Sequence, residues 1–177
     1  MRFFRFWVIL AFVCGVRGLR AQTATVRIPP VHGTLLSGEK LNLPEELKGT
    51  VGVLVLGFSR ASGDVVAQWG KRLARDYNGV GDVLYCEMSV LESVPGILRG
   101  YVVRKISEAV PAVAKGHFLP VLDHEKEWKA AAGFKISDDA YVLVVDSAGV
   151  IRGRVQGGAT DANFAELKRQ VEALAGR

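Results

Sequence analysis

The sequence predicts an α/β domain with a mixed central sheet, helices on both of its faces, and an insert before a C-terminal β-hairpin. Three observations carry this reading. Residues 51–58 (VGVLVLGF) and 141–145 (YVLVV) are almost uninterrupted apolar runs, the mark of strands covered on both faces. Three other segments repeat apolar residues at spacings of three and four, which places one stripe on a helix. The turn Ser147-Ala148-Gly149 joins two strands closely enough to make them antiparallel neighbours.

Residues 22–49 read as an approach segment. Val26 and Ile28 make a short strand that Pro29-Pro30 stops, and LPEELKG predicts a single helical turn from Pro44. After the strand at 51–58, the stripe Val66, Trp69, Leu73 and Tyr77 predicts a helix over about 63–77. DVLYCEMSV (82–90) is the next strand, with Leu84, Cys86 and Met88 on one face. A helix over about 96–109 follows Pro95, with Leu98, Val102, Ile106 and Val110 on its inner side. The insert, 111–138, is less regular; it contains FLPVLD and a short helix, DHEKEWKAA, that buries Trp128. YVLVVD, the turn and VIRGRV form the hairpin. The last helix begins near Asp161 or Asn163 and carries Phe164, Leu167, Val171 and Leu174, and Asn163 with Glu166 has capping-box spacing. This order is the thioredoxin arrangement, over residues 50–177, with the insert placed before the hairpin.

Residues 1–21 read as a signal peptide. Arg2 and Arg5 precede an apolar stretch from Phe6 to Val16, and Leu19-Arg20-Ala21 offers a small-residue exit. An uncleaved interfacial anchor is the alternative, since the stretch is short for a membrane span. The expected location is therefore the periplasm or the outer side of the membrane. Arg2, Arg5, Arg17 and Arg20 belong to this leader, so 19 basic residues face 18 acidic ones beyond it. That balance, with no cluster of lysine or arginine among aromatics, argues against a nucleic-acid partner.

The corner after the first core strand reads Ser59-Arg60-Ala61-Ser62-Gly63-Asp64. A disulfide exchanger or peroxidase on this fold places a thiol here, where a helix N-terminus stabilises the thiolate. Cysteine occurs only at positions 14 and 86, so no C-x-x-C is present and a serine hydroxyl cannot replace it without a general base. Ser62 or Asp64 is expected to cap the helix; the alternative is a remnant site that recognises an anion or peptide through free N–H groups and Arg60. Cys86, between Leu84 and Met88, reads as a small buried hydrophobe, the alternative being the single thiol of a peroxidase. His32, His117 and His124, even with Asp123 and Glu125, lack compact ligand spacing, and neither a metal nor a tightly bound cofactor is expected. Ala140 stands where thioredoxin-like domains keep a cis-proline facing the corner. Alternation places Val150, Arg152 and Arg154 on one face of the last strand. Arg152 then guards an edge against aggregation, pins the hairpin by pairing with Asp146, or meets a partner. Trp69, Trp128, Cys86 and Gly149 are expected to be structural.

The segment YVLVVDSAGVIRGRVQGGATDANFAELKRQVEAL resembles the C-terminal block of the mitochondrial F1Fo ATP synthase assembly factor family. Asp146, Gly149, Ile151, Arg152, Gly158, Ala159 and Thr160 match it, and upstream Phe58, Gly63 and Trp69 match its strand, glycine and tryptophan. Arg152-Gly153 replaces the arginine–tryptophan pair common in that family. The resemblance implies a thioredoxin-like domain that persists without redox cysteines, as an interaction or assembly module for an envelope protein.

Overall fold

A computed structural model describes residues 25–176; the expected signal peptide and Cys14 lie outside the described residues. The chain forms a thioredoxin-like α/β fold. A hairpin of β1 (Val31–Thr34) and β2 (Lys40–Leu43) leads through a 3-10 turn at Glu45–Leu47 into β3 (Val51–Gly57). Then come α1 (Ser62–Tyr77), β4 (Val83–Val90), α2 (Gly96–Ala109), a 3-10 segment at Ala112–His117, β5 (Phe118–Val121) and α3 (Glu125–Ala132). The chain ends with β6 (Ala140–Val145), β7 (Ile151–Gln156) and α4 (Asp161–Ala175).

The main sheet has the order β5-β4-β3-β6-β7. β3 pairs in parallel with β4 and antiparallel with β6, while β4 pairs in parallel with β5. All seven residues of β3 and all six of β6 are buried, as their unbroken apolar runs predict. On one face, Val53, Val55, Tyr85, Val142 and Val144 meet Val66, Trp69 and Leu73 of α1 and Phe164, Leu167 and Val171 of α4. On the other, Leu54, Leu56, Cys86, Met88 and Leu143 meet Trp128, Ala131 and Ala132 of α3. Ile28, Val31, Leu41, Leu43 and Leu47 join that second core, so the approach segment is packed structure as well as a lead-in. Its first residues run alongside the hairpin, where Ile28 N donates to Gly149 O and Ile151 N donates to Val26 O.

Several sequence expectations need correction. The insert supplies β5, an edge strand; its four residues and Pro120 hid it, and an edge is where proline is tolerated. The proposed inner stripe of α2 is not a core stripe: no residue of α2 is buried, Leu98 is exposed, and Val102, Ile106 and Val110 are only half-buried. The short α3, rather than α2, supplies helical cover on the Cys86 face. α4 is capped by Thr160, whose Oγ1 accepts from Asn163 N at 3.2 Å, and not by Asn163. The side chain of Asn163 instead donates to Gly158 O at 2.8 Å. On β7 the simple alternation fails, because a register shift opposite Val144/Val145 inserts one extra residue. Ile151 therefore packs with the α3 core and Val155 with the α4 core. Arg154 lies against α3, its Nε donating to Ala131 O at 2.8 Å.

Glu87 is a buried carboxyl of β4 opposite Val55. It occupies the notch left by Gly70 of α1, where a Cβ would collide with its carboxylate oxygens. Burial pushes its pKa up to about 7, so the folded state retains a proton that an unfolded glutamate, near 4.3, has lost. Stability should therefore fall as pH rises from about 4 to about 7, by on the order of 3 kcal/mol. Glu87→Gln keeps the shape and should flatten that slope, as urea midpoints at pH 5 and pH 8 would show.

Candidate functional site at the Ser59 corner

The C-terminal ends of β3, β4, β5 and β7 and the start of β6 share one end of the sheet. The corner between β3 and α1 sits at its centre. Gly57 allows α1 to approach: a Cβ there would lie 2.8 Å from Ser62 Oγ and 3.0 Å from Val66 Cγ2. Two serines three residues apart then close the turn upon themselves. Ser62 N donates to Ser59 Oγ at 3.1 Å, Ser59 N donates to Ser62 Oγ at 3.2 Å, and Ser62 Oγ donates to Ser59 O at 2.8 Å. Ser59, rather than Ser62 or Asp64, thus satisfies the helix N-terminus. Ser62 is fully buried, so its hydroxyl serves the backbone and surface contact at the corner falls to the exposed Arg60.

Ser59 Oγ also reaches across the sheet end to Asp138 Oδ1 at 3.1 Å, an oxygen that accepts from Ser137 Oγ at 2.9 Å as well. Asp138 belongs to the loop before β6, and Ala140, at the cis-proline position, is buried opposite Gly57. Among the described residues the cis peptide bond is Leu43–Pro44, in the N-terminal hairpin. The Tyr141 hydroxyl fixes the loop by accepting from Lys135 N and Ile136 N and donating to Ile136 O, at 2.7–2.9 Å. Phe58, Phe134 and Tyr141 form an aromatic cluster beside the corner, with centroids 5.1–5.7 Å apart, and Lys129 Nζ lies 4.8 Å from the Phe134 ring. Trp69 donates from Nε1 to Gly157 O at 2.8 Å, tying α1 to the β7–α4 loop. Every hydroxyl of the corner therefore holds backbone or loop. A nucleophilic serine needs a positioned base; the Ser59 hydroxyl instead donates to the Asp138 carboxylate, a weak base towards a hydroxyl.

Cys86 is the one cysteine among the described residues. It is fully buried on the sheet face that packs against α3 and the N-terminal segment, and its Sγ lies 3.5 Å from Glu87 O. Burial first, and then the neighbouring Glu87 charge, push its thiol far above the ordinary cysteine range, the opposite of what a peroxidase requires. The histidines do not converge. His32 Nδ1 pairs with Asn42 Oδ1, His117 stacks on Tyr85 at 4.0 Å, and His124 adopts a left-handed backbone at the start of α3. Among the described residues no group of three acidic, histidine or cysteine side chains could hold a metal. A shallow cavity of about 390 Å³ is lined by Glu92, Ser93, Glu125, Lys126 and Lys129. Its carboxylates are consumed internally: Glu92 accepts from Glu125 N, and Glu125 from Ser93 N and Lys129 Nζ.

Asp146 and Arg152 lie at the opposite end of the sheet and are brought together. Asp146 Oδ1 accepts from Ala148 N and Val150 N, and Oδ2 accepts from Arg152 Nε at 2.8 Å. Gly149 turns the chain with φ 73° and leaves room for Pro44, whose Cβ a substituent at Gly149 would approach to 2.7 Å. Trp128, like Trp69, is fully buried.

The fold is shared with known thiol proteins at low identity. The chain superposes with a TM-score of 0.57 on BsSco, a member of the Sco family of cytochrome c oxidase assembly proteins, at 14% identity over 86% of this chain and 95% of that one. It matches the thioredoxin domain of a thiol-disulfide oxidoreductase from Bacteroides vulgatus at 0.54 and 16% identity, over 84% and 98% of the two chains. It also matches the exposed lipoprotein thioredoxin of Streptococcus pneumoniae at 0.54 and 14% identity, over 81% and 99%. No family profile matches the chain, and no curated protein sequence does. The chain has a thioredoxin-like fold with no redox-active cysteine pair.

Two outcomes are expected. Cys86 should resist alkylation in the native protein and react fully in denaturant; mass spectrometry after a timed iodoacetamide pulse reads this directly. At Asp146, burial opposes ionisation, but the Val150 N–H, Arg152 and the Ala148 N–H outweigh it and hold the carboxyl below its usual range. The resulting stability is present above about pH 4 and is lost as pH falls through the lower folded-state value. Arg152→Ala should cost up to about 1 kcal/mol near neutrality, with the difference from wild type shrinking in acid, as paired denaturation curves would show.

Proposed function

We propose that this chain is an exported, non-redox thioredoxin-like protein that acts as an interaction or assembly module for an envelope protein. The observation that carries the reading is the corner itself. The position at which the fold would perform thiol chemistry is a closed set of serine hydrogen bonds, and the surrounding surface is available for contact instead. Arg60 is exposed on the corner, Ile136 is exposed on the loop before β6, and Leu122 is exposed after β5. An exposed cation among separate apolar side chains suits an extended or partly folded protein segment rather than a small enclosed ligand.

Supporting arguments come from outside the corner. The leader-like sequence of residues 1–21 favours export, and the matches of Phe58, Gly63, Trp69 and the Asp146–Thr160 block favour the ATP synthase assembly factor resemblance. One fold neighbour is itself described as belonging to a family of cytochrome c oxidase assembly proteins. In this reading Asp146 and Arg152 first stabilise the hairpin, and any partner contact by Arg152 is secondary.

Removal of 111–138 is unsuitable as a test, since it would delete β5 and the buried Trp128. The double variant Arg60→Glu/Ile136→Asp changes only exposed side chains. Crosslinking of tagged protein in envelope fractions should recover a specific partner with wild type and lose it with this variant at unchanged melting temperature. Equal recovery by both proteins would place the interaction elsewhere and remove the corner from the account.

A further inference from the structure

We propose that α2 is a docking helix for an anionic lipid surface. It is a 14-residue helix with no buried side chain, whereas α1, α3 and α4 each bury three or more. Its half-buried side carries Val102, Val103, Ile106 and Val110. The opposite stripe, at spacings of four, three, one and three, is Ile97, Tyr101, Arg104, Lys105 and Glu108, all exposed. Ile97 is 92% exposed and Tyr101 53%, with Leu98 beside them at 49%. Burying apolar groups of this size is worth about 1.5–3 kcal/mol each, and the fold leaves that gain unclaimed at three neighbouring positions.

The stripe is ordered along the helix as well as around it. Ile97, Leu98 and Tyr101 occupy the first turns, and Arg104 and Lys105 follow roughly 10 Å further along the axis at the helical rise. Arg104 Cζ and Lys105 Nζ lie 5.5 and 5.9 Å from the Tyr101 ring centroid. This sequence of apolar tip, tyrosine and cations matches the layers of a bilayer surface: acyl boundary, interface and phosphate. Between Ser93 and Leu122 the chain has four basic residues, Arg99, Arg104, Lys105 and Lys115, and one acidic residue, Glu108. That local excess contrasts with the near-balance of the chain beyond the leader and complements anionic headgroups. Arg99 is already tied to Val94 O and Glu92 O, which fixes the tip of the helix relative to β4. A patch of three apolar residues is small for a stable protein interface, which buries about 800 Å² per partner, whereas a lipid surface needs only shallow insertion. No helix among the described residues is long and apolar enough to cross a membrane, so the contact is interfacial.

The test uses the full chain, with Cys14→Ser in every protein, and vesicles of phosphatidylcholine alone or with about one-third phosphatidylglycerol. An environment-sensitive dye is attached at Tyr101→Cys, and in a second protein at Glu172→Cys on the exposed side of α4. The dye at position 101 should shift to the blue with the anionic vesicles and the dye at 172 should not. In unlabelled protein, Arg104→Glu/Lys105→Glu should weaken sedimentation with anionic vesicles by at least about fivefold for each charge removed. Ile97→Ser/Leu98→Ser should weaken it while leaving the melting temperature unchanged, because no buried side chain is altered. The proposal is overturned if vesicle binding is indifferent to these variants, which would assign it to the N-terminal segment. It is equally overturned if dye 101 responds to a protein partner but to neither vesicle.

Discussion

The complete burial of β3 is the constraint on which the other elements depend. Each of its seven residues is buried, so both faces must be roofed and both edges paired. β4 and β6 satisfy the edges, and α1 with α4 roofs one face. The other face is covered by α3 and by leucines of the N-terminal segment, which is why that segment is bound into the core. The two glycines of β3 report how tight this enclosure is. A Cβ at Gly52 would lie 2.5 Å from Val145 and 2.7 Å from Leu47, and one at Gly57 would press on Ser62. The corner at Ser59 is thus aligned by the same packing that buries the strand beneath it.

Enclosure also separates the two kinds of polar group in the molecule. Cys86 lies inside the sandwich, on a strand face with no route to solvent, and its thiol is held protonated there. The corner serines lie where a helix start meets the sheet end, and their hydroxyls replace thiols with hydrogen bonds that fasten β3, α1 and the loop before β6 together. What remains for function at that end is surface: Arg60, Ile136 and the loops around them. α2, attached to the same sheet end through the β4 loop, adds a second exposed surface of different chemistry. The proposed role would use the corner for a protein partner and α2 for a lipid surface.

The strongest sequence signals were those that packing alone decides. The apolar runs of β3 and β6 and the stripes of α1 and α4 matched the structure because burial on two faces or on one stripe leaves a direct periodic trace. α2 shows the limit of that logic: Leu98, Val102, Ile106 and Val110 recur at helical spacing, yet periodicity cannot say what a stripe packs against. β5 was hidden because four residues including a proline carry too little pattern. The caps at Ser59 and Thr160 were each displaced by a few residues, since several serine, threonine, aspartate and asparagine residues compete locally and only the backbone geometry selects one. The bulge in β7 changed which face Arg154 occupies, and a one-residue insertion of that kind leaves no mark in the alternation. At the corner, the absence of thiols was plain in the composition, whereas the Ser59–Asp138 link joins residues 79 positions apart and arises only from the fold.

The central claim is that the corner keeps the architecture of a thiol site while having no thiol chemistry. Thiol–disulfide exchange, measured as insulin reduction under dithiothreitol, tests it in the wild type, in Cys86→Ser and in Ser59→Cys/Ser62→Cys. The account predicts no catalysis by wild type or Cys86→Ser, and an oxidisable cysteine pair in the double variant, since each serine hydroxyl already accepts from the other residue's backbone N–H across the turn. Catalysis by wild type that disappears in Cys86→Ser would contradict it.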